Sequence, residues 1–126
     1  MKRLKYNTSK KKPECDGYKF DSRREMFRYI ELKQMVNDGI ICDLILQPVF
    51  KISLGGVRDS ATGRMMAARK YIPDFQYVSL CSDIITPGTV VVEDVKSPST
   101  AKESTYRLKR QLFHEQYSSI AFLEVY

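Results

Sequence analysis

Asp74, Asp94 and Lys96 are the residues of this chain whose types and spacing best suit chemistry. Asp94 and Lys96 close the run Val90-Val91-Val92-Glu93-Asp94-Val95-Lys96, and Asp74 follows a proline in Tyr71-Ile72-Pro73-Asp74-Phe75. Both runs are rich in branched and aromatic residues and read as β-strands. Side chains alternate along a strand, so Val90, Val92, Asp94 and Lys96 share one face while Val91, Glu93 and Val95 share the other. Asp94 and Lys96 therefore point the same way, about 7 Å apart. Charge buried without a partner or a metal is costly. Two carboxylates and a lysine are what magnesium-dependent phosphodiester hydrolysis requires. The carboxylates hold the cation, and the lysine stabilises the attacking water or the charge developing on phosphorus. Glu93 adjoins Asp94 but points to the other face, so Asp94 is the expected ligand of the two. The plainer alternative is a salt-bridged Asp94–Lys96 pair on a solvent-facing sheet, with Asp74 a turn residue.

The surrounding elements must bring these groups together. Ser22 to Val36 is predicted to be a helix, with Ser22 and Glu25 as a capping box and Gly39 as its stop. Its apolar arc holds Leu32, Val36, Tyr29, Met26 and Ile30, and Glu25 falls on that arc. Asp43 to Ser53 is predicted as the first strand, with Pro48 pointing to an edge or a bulge. Gly55-Gly56 opens a polar turn, and residues 57 to 68 form a linker or hairpin tip. The second strand is predicted from about Arg69 to Val78. In it, Asp74 faces with Ile72 and Gln76, opposite to Tyr71, Phe75 and Tyr77. The turn Thr86-Pro87-Gly88 makes the strands bearing Asp74 and Asp94 an antiparallel pair, which joins two carboxylates far apart in sequence. Ser97-Pro98-Ser99-Thr100 ends that strand, and a second helix runs from about Ala101 or Ser104 to Gln116. Leu108, Leu112, Phe113 and Tyr106 form its apolar arc. Lys109 lies inside that arc, and Arg107, Arg110 and His114 lie outside it. Ser118 to Tyr126 is a short closing strand. The order is helix, three strands, helix, strand: an α/β fold with a mixed central sheet flanked by two main helices.

Pro73-Asp74 followed by Asp94-Val95-Lys96 resembles the PD-(D/E)XK signature of the restriction-endonuclease-like nuclease superfamily. Five segments in order are similar, more narrowly, to a phage-encoded domain family of unknown function placed in that superfamily. They are Phe20-Asp21-Ser22-Arg23-Arg24-Glu25, Asp43-Leu44-Ile45-Leu46-Gln47-Pro48, Tyr71-Ile72-Pro73-Asp74-Phe75, Glu93-Asp94-Val95-Lys96 and Tyr106-Arg107-Leu108-Lys109-Arg110. The resemblance runs from about Phe20 to the C-terminus. It implies a restriction-endonuclease-like fold and a metal-dependent endonuclease acting on DNA. The expected substrate is branched or junction DNA in phage replication or recombination, as for Holliday-junction resolvase-like endonucleases. Mg²⁺, with Mn²⁺ as substitute, would be held by Asp74, Asp94, the Val95 carbonyl and Glu25. Lys96 would orient or deprotonate the attacking water, and Lys109 would lend charge to the bound phosphate. Gln47 would approach the site, and Arg107 and Arg110 would contact DNA. Small nucleases that cut symmetric junctions are normally dimers, so a homodimer is expected.

Each borrowed role has a structural rival. Glu25 can serve the capping box alone, Lys109 can snorkel to solvent, and Gln47 can simply bond backbone. Two other functions compete with the nuclease: a nucleic-acid-binding module that does not cut, and a phage accessory protein. Metal dependence separates the nuclease from both. A steep salt dependence of DNA binding separates the second from the third.

Composition narrows the field. A chain of 126 residues reads as one domain, here residues 20–126 behind a basic tail of residues 1–19. The net charge is +6, yet residues 1 to 12 carry six of the 21 basic side chains and no acid, so the rest balances 15 against 15. A basic tail suits a phosphate-binding arm or a merely solvated terminus. No apolar run approaches the ~20 residues of a membrane span, and the N-terminus lacks the apolar stretch of a signal peptide. Cys15, Cys42 and Cys81 are odd in number and widely spaced, which suits a reducing compartment such as the host cytoplasm. No glycine-rich phosphate loop supports a nucleotide cofactor.

Overall fold

The computed structural model describes residues 11–126. The basic residues Lys2, Arg3, Lys5 and Lys10 of the predicted arm lie outside that range. A four-stranded sheet organises the body, in the order β10 (Ala121–Val125), β9 (Val90–Val95), β8 (Phe75–Ser79), β3 (Ile41–Leu46). β3 and β8 are antiparallel, β8 and β9 are antiparallel, and β9 and β10 are parallel. A parallel pair needs a crossover connection, and helix α3 (Ser104–Gln116) supplies it. Helix α1 (Arg23–Asn37) precedes the sheet in sequence. The fold is thus α/β with a mixed sheet and two main helices, as the sequence order requires.

The two faces of the sheet carry separate cores. Tyr29 and Leu32 of α1 pack with Phe75, Tyr77, Val91 and Val95 on one face. Tyr106 and Phe113 of α3 pack with Tyr71, Ile52 and Val92 on the other. The alternation of β9 decides this division, because its odd and even positions leave on opposite sides. The helix arcs are narrower than sequence suggests. Ile30 is 45% exposed and Leu108 57% exposed, so each falls on solvent at the margin of its arc.

Local signals set the element ends. Ser22 caps α1, its Oγ accepting the Glu25 N–H at 3.1 Å. At the other end Ile40 N–H donates to Met35 O and Gly39 N–H to Val36 O, with Gly39 at φ +74°. That is the Schellman closure a glycine permits. Ser97 caps the short helix α2 (Pro98–Ala101), whose first residue is the proline that ends β9.

The strands depart from the sequence reading in two places. The first begins at Ile41 rather than Asp43 and stops at Leu46, well short of Ser53. A bulge between Cys42 and Ile45 interrupts it, with Asp43 at φ +55°, and Pro48 follows as the strand ends. The second splits into β7 (Lys70–Tyr71) and β8, and β7 pairs with β4 (Phe50–Lys51) instead of joining the main sheet. Pro73 lies at that break, and the alternation does not carry across it. Tyr71 therefore joins the α3-side core while Phe75 and Tyr77 join the α1 side, where simple alternation had put all three together. Residues 57–68 make a hairpin of β5 (Val57–Arg58) and β6 (Met65–Met66). A hairpin of β1 (Glu14–Cys15) and β2 (Tyr18–Lys19) packs on α1, with Asp16 accepting the Tyr29 hydroxyl at 2.8 Å. The folded body thus takes in residues the sequence reading gave to the tail.

Among the described residues no helix is long and apolar enough to cross a membrane.

Candidate active site

Asp74 sits just before β8, and its backbone continues the ladder: its N–H donates to Glu93 O at 3.1 Å. The β8–β9 register pairs Phe75 with Glu93, so one further step sets Asp74 opposite Asp94. The Asp74 carboxylate accepts the Val95 N–H at 2.7 Å. Burial first, and then the Asp94 carboxyl beside it, push the Asp74 pKa well above the usual carboxylate range. The two acids are close enough that one charge disfavours the other.

Asp94 is 2% exposed. It accepts a hydrogen bond from the Tyr71 hydroxyl, and the Lys96 ammonium lies 3.5 Å from its Oδ1. The Lys96 Nζ also sits 4.6 Å from the centre of the Tyr106 ring, a cation–π contact. Tyr106 is anchored in turn: its hydroxyl donates to Glu124 at 2.6 Å, and Arg110 donates to the same oxygen at 2.6 Å. Burial alone would raise the Glu124 pKa, but those two donors outweigh it and hold the carboxylate below its ordinary range.

Glu93 takes the opposite course. It is fully buried, and Arg28 of α1 meets it with two hydrogen bonds of 2.7 and 2.6 Å. The Tyr77 hydroxyl donates to it as well. Its oxygens are committed to the α1-side core, and it is turned away from Asp74 and Asp94, as strand alternation requires.

Glu25 both bonds backbone at the start of α1 and reaches a cleft. Its carboxylate accepts the Asp21 N–H at 3.3 Å, one residue earlier than the Ser22 N–H of a regular capping box. It also lines a cleft of about 410 Å³ with Val95, Lys96 and Arg24. Burial raises its pKa; the Asp21 N–H bond opposes that, and the Asp21 and Asp94 charges add to it. A smaller cleft joins Glu25 to Gln47 and Asp74. Gln47 stands at φ +51° and gives its N–H to Asp74 O at 2.9 Å. Its backbone thus buttresses the site as the plainer reading expected, in a conformation non-glycine residues rarely adopt. On the far side of Lys96 a cleft of about 320 Å³ is lined by Asp94, Tyr106, Lys109 and Lys70.

Asp74, Asp94, Lys96, Glu25, Gln47 and Lys109 thus line three neighbouring clefts that share Glu25 or Lys96. The two arginines do not. Arg110 is committed to Glu124, and Arg107 is exposed on the outer side of α3, in a separate groove with His114 and Glu115. That groove, about 860 Å³, is open and holds no pair of buried acids. Sequence reasoning passed over Tyr71 and Tyr106 at the site. Lys96 and Tyr106 are both signals in the sequence, but only the α3 crossover brings them together.

A family model described as "Protein of unknown function (DUF1064)" matches residues 3–125. The chain belongs to that family. No curated protein matches it, and no solved structure does. The DUF1064 match takes in every residue of the clefts described above.

Proposed function

We propose that this DUF1064 chain is a metal-dependent nuclease of the PD-(D/E)XK, restriction-endonuclease-like kind, cutting DNA and, within that class, branched or junction DNA. The observation that carries the reading is the Asp74–Asp94–Lys96 cluster. Two largely buried carboxylates face one another with an ammonium beside them, at the meeting of three clefts. A structural ion pair has no use for a second buried acid that weakens the first.

The donor set suits magnesium. Among the described residues no three acids, histidines or cysteines form a ready metal-holding group. Magnesium asks for less: it binds through one or two carboxylates plus phosphate and keeps several waters. Asp74 and Asp94 would hold it, with Glu25 and the Val95 carbonyl at the cleft edge. When bound, the cation would neutralise the mutual repulsion of the two acids and polarise the phosphoryl oxygen. Manganese, which takes the same oxygen ligands, would substitute. Lys96, held between Asp94 and the Tyr106 ring, would place its charge beside the scissile phosphate and orient the attacking water. Lys109 and Lys70 would hold flanking phosphates as point charges.

The test is cleavage of synthetic four-way junctions, flaps, duplex and single-stranded DNA with Mg²⁺, Mn²⁺ or EDTA, with the Asp94→Asn protein alongside. Cutting that requires metal and is lost in the variant is the expected result. Failure to cut any substrate, together with unchanged DNA binding in Asp94→Asn, would favour a binding module and sink the nuclease reading.

A further inference from the structure

Strand β10 ends the sheet, and among the described residues nothing pairs with its outer edge. The two ends of the sheet are built differently. At the far end β3 carries a bulge, a left-handed Asp43 and a following left-handed Gln47 and Pro48. Those devices keep an edge strand from pairing with another. β10 has none of them. It is Ala121-Phe122-Leu123-Glu124-Val125, five residues in unbroken register with β9, and its one charged side chain is turned back onto Tyr106 and Arg110. A regular edge of this kind is a template for an added strand.

The flanking surfaces select the occupant. On the α1 side an apolar groove of about 310 Å³ is lined by Leu123, Ile84, Ile85, Met35 and Ile40. Ile84 is 94% exposed and Leu123 37%. On the other side α3 presents a stripe of Arg107, Leu108, Arg110, Gln111, His114 and Glu115 beside Phe122 and Glu124, in which Arg110 and Glu124 neutralise each other and Glu115 accepts the Gln111 amide at 3.1 Å. That stripe is positive at Arg107, negative at Glu115 and uncharged midway at Gln111. Two copies of it laid antiparallel about Gln111 set each Arg107 against the Glu115 of the other. Charge complementarity of a surface with itself points to a two-fold assembly.

Geometry agrees. Lys96 N–H donates to Val125 O at 2.8 Å, so Val125 and the alternate positions Leu123 and Ala121 face β9. Phe122 and Glu124 therefore present their backbone groups outward, where an antiparallel register centred on Leu123 would pair them with each other. α3 packs over Val92 of β9 and Phe122 of β10. With strands about 4.8 Å apart, a two-fold axis beside β10 brings two α3 axes to roughly 10 Å, the packing distance of helices.

We propose that β10 pairs antiparallel with β10 of a second copy of this chain, making one continuous sheet of two four-stranded halves with α3 packed on α3. The dimer does not depend on the chemistry proposed for Asp74 and Asp94. Sedimentation equilibrium of the full chain across the micromolar range tests it. The expected result is a monomer–dimer equilibrium that Arg107→Glu or Glu115→Arg each weakens by roughly tenfold or more. Arg107→Glu combined with Glu115→Arg restores it, because each reversed charge again faces its opposite. Both side chains are exposed, and circular dichroism checks that the variants fold. A monomer at every concentration overturns the proposal. So does a dimer indifferent to the single reversals, or one that the double reversal fails to restore.

Discussion

Glu93 and Asp94, neighbours in sequence, leave β9 on opposite faces, and each receives one tyrosine hydroxyl and one cation. Glu93 has Tyr77 and Arg28; Asp94 has Tyr71 and Lys96. Glu93 is fully buried and its partner Arg28 is tied to Glu31 as well, whereas Asp94 opens on clefts through Lys96. Equal chemistry in unequal surroundings separates an acid locked in the core from one that reaches a cleft.

The two acids should therefore respond oppositely to neutralisation. Glu93→Gln leaves the half-buried Arg28 guanidinium with only the exposed Glu31 as counter-charge and is expected to cost about 3 kcal/mol of stability. Asp94→Asn relieves repulsion on Asp74 and is expected to leave stability unchanged or higher, while cleavage falls by roughly a hundredfold or more. Urea unfolding and cleavage rates of the same two variants check both halves.

Asp74 sets the pH dependence. Its pKa is raised in the folded chain, so the folded state keeps this proton above the value of about 4 at which the unfolded chain releases it. The folded state then binds more protons, and stability falls as pH rises from about 4 through the raised value. Asp74→Asn is expected to melt higher than the wild type at neutral pH, with the gap closing near pH 4. Added Mg²⁺ is expected to stabilise the wild type at neutral pH and the variant much less. Thermal melts across pH, with and without the ion, read out both.

Much of this was legible in the sequence because strand alternation is a strict rule. The split between Glu93 and Asp94, the antiparallel pairing across Thr86-Pro87-Gly88 and the capped start of α1 all follow from local signals. What the sequence hid depends on breaks in those signals. Pro73 resets the alternation, so Tyr71 reaches Asp94 although simple parity sent it elsewhere. The bulge after Cys42 likewise shifts the first strand. The Arg110–Glu124 pair was hidden because helix periodicity places a residue on an arc without naming its partner, and Glu124 arrives from a strand only the crossover brings near.

Tyr106 should matter to Lys96 more through its ring than through its hydroxyl. Tyr106→Phe keeps the ring under the ammonium and loses only the bond to Glu124, which Arg110 still holds. Tyr106→Leu removes the cation–π contact and frees Lys96. The Leu variant is expected to lower kcat by about tenfold with KM little changed, and the Phe variant to lie near the wild type. An upfield ring-current shift of the Lys96 side-chain protons, present in wild type and Phe and absent in Leu, checks the placement without reference to activity.

Glu25 can be separated from its cap because two different groups carry the two roles. The Ser22 hydroxyl satisfies the Glu25 N–H, whereas the Glu25 carboxylate reaches the Asp21 N–H and the cleft beside Lys96. Ser22→Ala removes the cap and is expected to cost about 1 kcal/mol of stability with cleavage intact. Glu25→Gln keeps an oxygen for the Asp21 N–H but removes the charge. It is expected to cost little stability and to slow cleavage, with a higher Mg²⁺ requirement than the wild type. Urea unfolding and a Mg²⁺ titration of cleavage distinguish the two. A Glu25→Gln protein with wild-type metal dependence would reduce Glu25 to a cap and leave the cation to Asp74 and Asp94 alone.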